Sequence, residues 1–223
     1  MTQRHLDSRR AEYYDRPRTE LLPHIPITCR KILDCGCGYG MLGTALKARA
    51  PCRVIGVERD PLAAAGARKH LDAVFEQDVE QPIDERDFDC IIYADVLEHL
   101  VDPWRLVRNH VSLLVPGGQV LMSIPNVRHF SVAYMLYAKG RWRYTESGIM
   151  DRTHLRFFTL KDIKDMVREA GLQLDTVTSN CDAWSWKTFL VRMSIGWLIP
   201  DTLVVQWIVR SHRPVEESAG SNG

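Results

Sequence analysis

The chain has 223 residues, which is long enough for one domain with a full core. Its 29 Lys and Arg residues balance 28 Asp and Glu residues, so the net charge of +1 offers no broad positive field of the kind that binds DNA. No apolar run reaches the roughly 18 residues that cross a membrane, and residues 1–22 lack the apolar centre of a signal peptide, so we expect a cytoplasmic protein without stable membrane insertion.

The six cysteines are spread along the chain without paired metal-ligand spacing. The close pair, Cys35 and Cys37, is separated by one residue inside a glycine-rich turn. We therefore predict reduced thiols and no metal site.

Short apolar segments alternate with helix-like segments in the first half of the chain. Residues 31–36, 53–60 and 88–95 each end in polar or turn residues, which predicts parallel strands. Between them, residues 41–50 and 61–71 are rich in Ala and Leu and predict helices, the second with Asp60 as N-cap and Pro61 in its first turn. This order predicts a βαβαβ unit.

The second half continues the pattern and then departs from it. A fourth strand is predicted at 118–126, after a Pro-Gly-Gly turn, and a helix at 160–172 with Gly171 as C-cap. Residues 172–179 and 202–212 predict two further strands. We expect an α/β fold: a Rossmann-like doubly wound sheet, mostly parallel with an antiparallel C-terminal edge strand, plus a cap inserted after the fourth strand.

We expect residues 1–223 to form a single domain. Its predicted parts are a cofactor-binding core (28–126), a substrate cap (127–159), a C-terminal helix with strands (160–210) and a disordered tail (211–223). Four tryptophans near the C-terminus are consistent with a membrane-interface anchor, but Arg192, Pro200 and Asp201 interrupt that segment and favour packing under the cap.

The segment 127–158 contains seven of the nineteen aromatic residues and six of the Lys and Arg residues. Aromatic rings stack on sugars and arginines bind oxyanions, so a cap over a sugar or anionic substrate is one interpretation. A solvated amphipathic helix or a surface for RNA is the alternative. The local excess of four positive charges is modest for RNA.

The stretch "ILDCGCGYGML" at 32–42 places Gly36, Gly38 and Gly40 after the first predicted strand. A dinucleotide-binding fingerprint would need glycine at position 41, where Met41 stands, so the spacing is GxGxG. Asp34 precedes the turn and is an unfavourable neighbour for a pyrophosphate. The turn therefore suits a ligand with a cationic end.

Two later acids predict a nucleoside at the same edge of the sheet. Glu58 ends the second strand, where its carboxylate can accept hydrogen bonds from both ribose hydroxyls. Asp78 lies beside small and apolar residues, where it can accept from an exocyclic amine such as that of adenine.

These motifs resemble those of class I S-adenosylmethionine-dependent methyltransferases, and the resemblance extends through "FDCIIYADVLEHLVDP" and "LVPGGQVLMSIPN". The segments "YYDRPR" (13–18) and "DRTHLRFFT" (151–159) resemble a bacterial group often associated with glycosyltransferases and related to ubiquinone-biosynthesis O-methyltransferases. The resemblance implies S-adenosylmethionine as cofactor. It implies binding roles for the three glycines and for Asp34, Glu58, Arg59, Asp78 and Val79, with Tyr14 and Arg18 closing over the cofactor.

Four residues are candidates for work on the acceptor. Asp95, Glu98 and His99 follow the third predicted core strand, near the expected methyl group, and any of them could orient a substrate. Alternatively, Asp95 or Glu98 is a first-turn helix acid and His99 a packed neighbour. His154 could accept an alcohol proton as a general base, or Asp151, Arg152 and Arg156 could tie its segment into a salt-bridged loop.

The sequence thus predicts methyl transfer to an oxygen, less favourably a nitrogen, of a small-molecule or glycan-type substrate, with catalysis dominated by positioning. An RNA or protein methyltransferase is one alternative. A catalytically silent cofactor-binding protein that associates with a biosynthetic enzyme is another.

Overall fold

The structure, a computed structural model, describes residues 17–181 and 200–215. Its centre is a seven-stranded sheet with the order β3-β2-β1-β4-β5-β7-β6. The strands are β1 (Lys31–Cys35), β2 (Arg53–Val57), β3 (Ala73–Phe75), β4 (Phe88–Ala94), β5 (Leu114–Pro125), β6 (Gln173–Cys181) and β7 (Val204–His212). Neighbours among β1 to β5 pair in parallel, whereas β7 is antiparallel to β5 and β6. The predicted fold class is confirmed.

Helices connect the strands within the described part of the chain. They are α1 (Met41–Arg49), α2 (Pro61–Ala67), α3 (Pro103–Val111), α4 (Phe130–Ala133) and α5 (Leu160–Glu169). The predicted caps are present: Asp60 accepts the N–H groups of Leu62 and Ala63, both at 3.0 Å, and Gly171 after α5 has a φ of 74°. Asp60 thus accepts N–H groups that the start of α2 leaves unpaired, and the left-handed conformation of Gly171 ends α5.

Both faces of the central strands are buried. Alternate residues contribute to two apolar clusters on opposite faces of the sheet. One contains Leu33, Ile55 and Ile91 with Leu106 of α3 and Ile163 of α5. The other contains Ile32, Val54 and Ile92 with Leu42 and Leu46 of α1. Burial on both faces explains why these strands are continuous apolar runs in the sequence.

Two strands differ from the sequence-based expectation. The three-residue strand β3 was not predicted, because three residues are too few to show an alternating pattern. The predicted fourth strand is therefore β5. The last of the described strands, β7, lies between β5 and β6, so β6 forms the edge of the described sheet.

Strand β5 also begins earlier than predicted, at Leu114. Its pairing with β4 jumps from Phe88–Leu114 to Cys90–Gln119, so the predicted Pro-Gly-Gly turn is a bulge within the strand. Gly117 there has a φ of 78°, a conformation that glycine adopts readily.

The predicted cap contains a short helical part followed by irregular chain. The helix α4 continues as a π turn over Tyr134–Ala138, after which the chain has no regular helix or strand until α5.

Strand β7 runs to His212, and Arg213 exchanges backbone hydrogen bonds with Gly117 and Gly118, so pairing extends into the segment predicted as tail. Among the described residues, no helix is long and apolar enough to span a membrane.

Candidate active site

The carboxyl ends of β1 and β4 lie side by side in the middle of the sheet, and the chain leaves them in opposite directions, toward β2 and toward β5. Ligands of open α/β sheets bind in the crevice at such a reversal. The glycine turn follows β1 and the segment 95–99 follows β4. Both loops therefore border one crevice.

The three glycines of the turn all adopt left-handed backbone conformations. Gly36, Gly38 and Gly40 have φ values of 69°, 54° and 81°. A Cβ atom on Gly36 would lie only 2.7 Å from Cγ2 of Val96, in the loop after β4. Gly36 is therefore required both by its conformation and by close contact between the two loops.

Asp34 of β1 lies beneath this turn. Its side chain is 2% exposed, and Oδ2 has no hydrogen-bond partner among the described residues. Burial, reinforced by the charge of Glu58, raises the pKa of Asp34 from 3.8 to about 7, although Arg18 acts in the opposite direction. A cationic group at Oδ2 would satisfy this oxygen and favour the charged carboxylate.

Glu58 holds the turn together from the end of β2. Its carboxylate is buried; Oε2 accepts the N–H of Gly38 at 3.0 Å and Oε1 accepts the N–H of Asp60 at 2.8 Å. Each carboxylate oxygen has a second lone pair. Glu58 can therefore orient the turn and still accept hydrogen bonds from two ribose hydroxyls. The bond to Gly38 was not expected from the sequence.

The residues predicted to frame a base lie at the neighbouring strand end. The N–H of Gln77 donates to the carbonyl of Glu58 at 3.1 Å, which brings the segment after β3 beside the ribose position. Asp78 there is half-buried and Val79 is buried, whereas the Arg59 side chain is exposed. These residues form one rim of the crevice.

Arg18 and Asp95, both predicted site residues, bind each other across the opposite rim. The Nη1 group of Arg18 donates to Oδ2 of Asp95, and Nη2 donates to Oγ of Ser123 at 3.1 Å. The amide of Gln206 donates to the other carboxylate oxygen of Asp95. Ser123 and Gln206 had no local sequence signal, because only the pairing of β5 with β7 brings them together. Tyr14 lies outside the described residues.

The loop after β4 places Glu98 and His99 against His154 of the cap. The two imidazole centroids are 4.8 Å apart, edge to face. Nδ1 of His154 lies 3.0 Å from the carbonyl oxygen of Ile149, and Nδ1 of His99 lies 3.3 Å from that of Thr153. A carbonyl only accepts, so Nδ1 carries a hydrogen in both rings, and in the neutral imidazole the lone pair is therefore on Nε2.

The segment that carries His154 is fixed to the loop after β4 by backbone hydrogen bonds. The N–H groups of Leu155 and Arg156 both donate to the carbonyl of Glu98, at 2.8 and 3.0 Å. The guanidinium of Arg156 donates to the carbonyl of Val101, with Nε at 3.0 Å. Residues distant in the sequence are thus held at one strand end.

The acids after β4 do not lie in the first turn of the next α-helix. Helix α3 begins at Pro103 and is capped by Asp102, which accepts the N–H of Arg105 at 3.1 Å. Asp95 precedes α3 and the short 3₁₀ helix Leu97–His99, whereas Glu98 lies in the first turn of that 3₁₀ helix. Asp95 is therefore not a first-turn helix acid, and the first-turn interpretation stays a prediction for Glu98.

Aromatic side chains of the cap approach the same place. Phe157 packs against Trp142, with centroids 5.2 Å apart, and lies 6.3 Å from both Tyr144 and His154. Tyr137 on the α4 extension is 85% exposed. The cap therefore presents exposed rings that continue to the crevice at His154.

This donor set fits the cofactor that the sequence motifs imply. An unpartnered buried carboxylate (Asp34) suits the ammonium group of S-adenosylmethionine, and the free lone pairs of Glu58 suit its ribose. The acid and the apolar side chain at Asp78 and Val79 suit adenine.

Comparison with known proteins agrees with this geometry. Residues 6–177 match a family model described as a methyltransferase domain. The ubiquinone biosynthesis O-methyltransferase of Chromobacterium violaceum is 31% identical over 170 residues, which cover 70% of this chain and 69% of that protein.

Solved structures share the fold at low sequence identity. An S-adenosylmethionine-dependent methyltransferase from Mesorhizobium loti has a TM-score of 0.61 at 20% identity, covering 87% of this chain and 96% of that one. The magnesium protoporphyrin IX methyltransferase of Synechocystis, solved with bound SAH, has a TM-score of 0.61 at 15% identity, covering 95% of this chain and 83% of that one. The chain belongs to the methyltransferase-domain family and is a class I S-adenosylmethionine-dependent methyltransferase related to ubiquinone biosynthesis O-methyltransferases.

Proposed function

We propose that this methyltransferase methylates an oxygen, in preference to a nitrogen, of a small-molecule or saccharide-type acceptor bound between the crevice and the 127–159 cap. The observation that carries the proposal is the orientation of His154, whose Nδ1–H is held by the carbonyl of Ile149 so that Nε2 is left with its lone pair. A hydroxyl nucleophile gains from a proton acceptor at this place, and alignment with the methyl group supplies most of the acceleration.

The cofactor supplies an electrophilic methyl group on a sulfonium. In this proposal, Asp34 accepts the ammonium group, and Gly36, Gly38 and Gly40 allow the chain to approach it closely. Glu58 accepts the ribose hydroxyls, with Arg59 beside it. Asp78 and Val79 frame the adenine, and Arg18 closes the pocket; the role expected for Tyr14, which lies outside the described residues, stays a prediction.

On the acceptor side, His154 takes the hydroxyl proton at Nε2. His99 supports that ring from its edge, at 4.8 Å between centroids. Asp95 acts as a positioning residue, because its carboxylate fixes Arg18 at the rim.

The composition of the cap supports an acceptor with hydroxyl groups and a face for stacking. Tyr134, Tyr137, Trp142 and Tyr144 are all at least 41% exposed. Arg141 and Arg143 are exposed between them. Exposed rings bind sugar or aromatic faces, and guanidinium groups bind oxyanions.

A methyl-transfer screen with labelled cofactor tests the proposal. The candidates are acceptors suggested by the neighbouring genes, together with phenols, sugar nucleotides, small amines, total RNA and protein extracts. We expect label in a small hydroxylated acceptor, with mass spectrometry and NMR locating the methyl group on oxygen. Label confined to RNA, with salt-sensitive association, would contradict the proposal, as would label confined to protein or to nitrogen.

The raised pKa of Asp34 predicts a pH-dependent cofactor affinity. The ammonium group favours the charged carboxylate, so affinity should fall by up to about tenfold per pH unit as the pH drops below about 7. Asp34→Asn should bind the cofactor more weakly and lose this dependence. Calorimetry at several pH values, in buffers of different ionisation enthalpy, measures both affinity and proton release.

The same shift predicts how the cofactor-free protein responds to pH. The folded-state pKa, about 7, lies above the ordinary value of 3.8, so between these values the folded chain holds a proton that the unfolded chain has lost. The stability that this proton contributes to the folded chain is complete below the ordinary pKa of 3.8 and is lost as the pH rises through the folded-state pKa of about 7. If wild type and Asp34→Asn show the same pH dependence of cofactor affinity and the same pH dependence of stability, Asp34 does not titrate in this pH range.

A further inference from the structure

Arg18 lies close enough to act on two carboxylates at the ends of neighbouring strands, Asp34 on β1 and Asp95 after β4. It is paired with Asp95, whereas Oδ2 of the buried Asp34 has no hydrogen-bond partner among the described residues. We propose that Ser123 and Gln206 are positioning residues for cofactor binding. Together with Asp95, they hold the Arg18 guanidinium away from Asp34, so that Oδ2 stays open to the ammonium group of the cofactor.

The guanidinium of Arg18 is bound at all three of its nitrogens. Nε donates to Glu20 at 2.6 Å, Nη1 to Asp95, and Nη2 to the hydroxyl of Ser123 at 3.1 Å. The side chain is 16% exposed, so these contacts lie largely out of solvent. A planar guanidinium that is bound at three nitrogens has a fixed orientation. The side chains of Glu20, Asp95 and Ser123 therefore determine where the positive charge is placed.

Asp95 is itself held from two sides. The amide of Gln206 donates to Oδ1, and Arg18 binds Oδ2. The backbone N–H of Asp95 donates to the carbonyl of Ser123 at 3.1 Å, and the residue has a φ of 57°, in the left-handed region. A residue other than glycine is uncommon in that region and persists where its surroundings hold it. Ser123 and Gln206 therefore fix the carboxylate that binds Arg18.

The sheet holds Ser123 and Gln206 together without any ligand. In the antiparallel pair of β5 and β7, Ser123 lies opposite Ile208, and Pro125 lies opposite Gln206. Ser123 and Gln206 are therefore diagonal neighbours on one face of the sheet. Donors that are fixed on paired strands bind their acceptors at a low entropic cost.

Without these contacts, Arg18 would be drawn to Asp34. A buried carboxylate with an unpartnered oxygen is unfavourable, and a guanidinium is a strong partner for it. The other charge that acts on Asp34, that of Glu58, is negative. The nearby thiols of Cys35 and Cys37 are neutral, because burial raises the pKa of both well above the usual range. An Arg18–Asp34 ion pair would occupy the oxygen proposed for the ammonium group, and the protein would inhibit its own cofactor binding.

This inference rests on the proposed function for the place of the ammonium group at Asp34, but its tests need no acceptor. The first test follows the ¹³C resonance of the Asp34 carboxyl in the full chain without cofactor. We expect wild type to titrate with a pKa of about 7. In Ser123→Ala and Gln206→Leu, which change no charge, and more strongly in Asp95→Asn, Arg18 should approach Asp34 and lower this pKa toward the ordinary 3.8. An identical pKa in wild type and all three variants would overturn the inference.

The second test measures cofactor affinity by calorimetry. At pH 8, Ser123→Ala and Gln206→Leu should each weaken binding by about three- to tenfold, and Asp95→Asn by more than about tenfold. The loss of affinity expected below pH about 7 should diminish in these variants, because Asp34 is then charged and already paired. Replacing Arg18 by Gln in the Asp95→Asn protein should restore that pH dependence. Failure of the second substitution to restore it would overturn the inference, since damage to the loop itself would not be reversed.

Ser211→Ala is the matched control for Ser123→Ala. Both serines are buried on neighbouring strands, but Oγ of Ser211 has no hydrogen-bond partner among the described residues. We expect Ser211→Ala to keep the wild-type cofactor affinity and the wild-type pKa of Asp34, and equal effects of the two substitutions would contradict the positioning role. The expected pattern in a protein that methylates nitrogen or RNA would leave this inference standing and refute the proposed function alone. Its absence in an O-methyltransferase would refute the inference alone.

Discussion

Replacing His154 by alanine is expected to lower single-turnover methyl transfer by about 10²–10⁴-fold while leaving cofactor affinity nearly unchanged. The imidazole lies at the acceptor side of the crevice, and the Asp34 and Glu58 carboxylates that suit the cofactor are on β1 and just after β2. Nε2 is the proposed acceptor of the hydroxyl proton, so its removal affects the reaction of the acceptor and not the binding of the cofactor. Single-turnover rates and calorimetry on one purified variant measure the two effects.

His154→Gln is the matched variant for a structural role. Its amide can still donate toward the carbonyl of Ile149, but it lacks the basic lone pair of the imidazole. We expect this variant to melt near the wild-type temperature and to remain as slow as the alanine variant. Recovery of turnover in His154→Gln, or parallel loss of melting temperature and cofactor affinity in both variants, would assign His154 to the structure of the cap.

Glu58→Ala is expected to weaken cofactor binding by about ten- to a hundredfold, corresponding to about 1.5–3 kcal/mol for hydrogen bonds to a charged group. The carboxylate is the proposed acceptor for the ribose hydroxyls. It also accepts the N–H groups of Gly38 and Asp60, at 3.0 and 2.8 Å, so its removal loosens the turn that borders the cofactor. Calorimetry with the cofactor and with its demethylated product measures the loss.

Two further variants separate these contributions. Glu58→Gln keeps one acceptor oxygen and should lose less affinity than Glu58→Ala. Glu76→Ala removes an exposed acid just after β3 that pairs with Arg68 at 2.7 Å, and it should leave cofactor affinity unchanged. Wild-type affinity in a folded Glu58→Ala protein would show that this carboxylate does not bind the ribose.

The sequence determined the elements whose signal is local. The strands β1, β2 and β4 are buried on both faces and read as apolar runs, the GxGxG turn follows from its spacing, and the Asp60 cap from its neighbours. The family and the cofactor followed from the same signals, because backbone conformation and charge at one strand end are encoded within a few residues.

Tertiary structure alone decided what depends on pairing between distant segments. Strand β3 is too short to carry a pattern, and the insertion of β7 between β5 and β6 fixes Gln206 against Asp95. The cluster of Glu98, His99 and His154 arises because the cap binds backbone to backbone on the loop after β4. Hydrogen bonds between main-chain groups are nearly independent of side-chain identity, so the sequence carries little record of which segments they join.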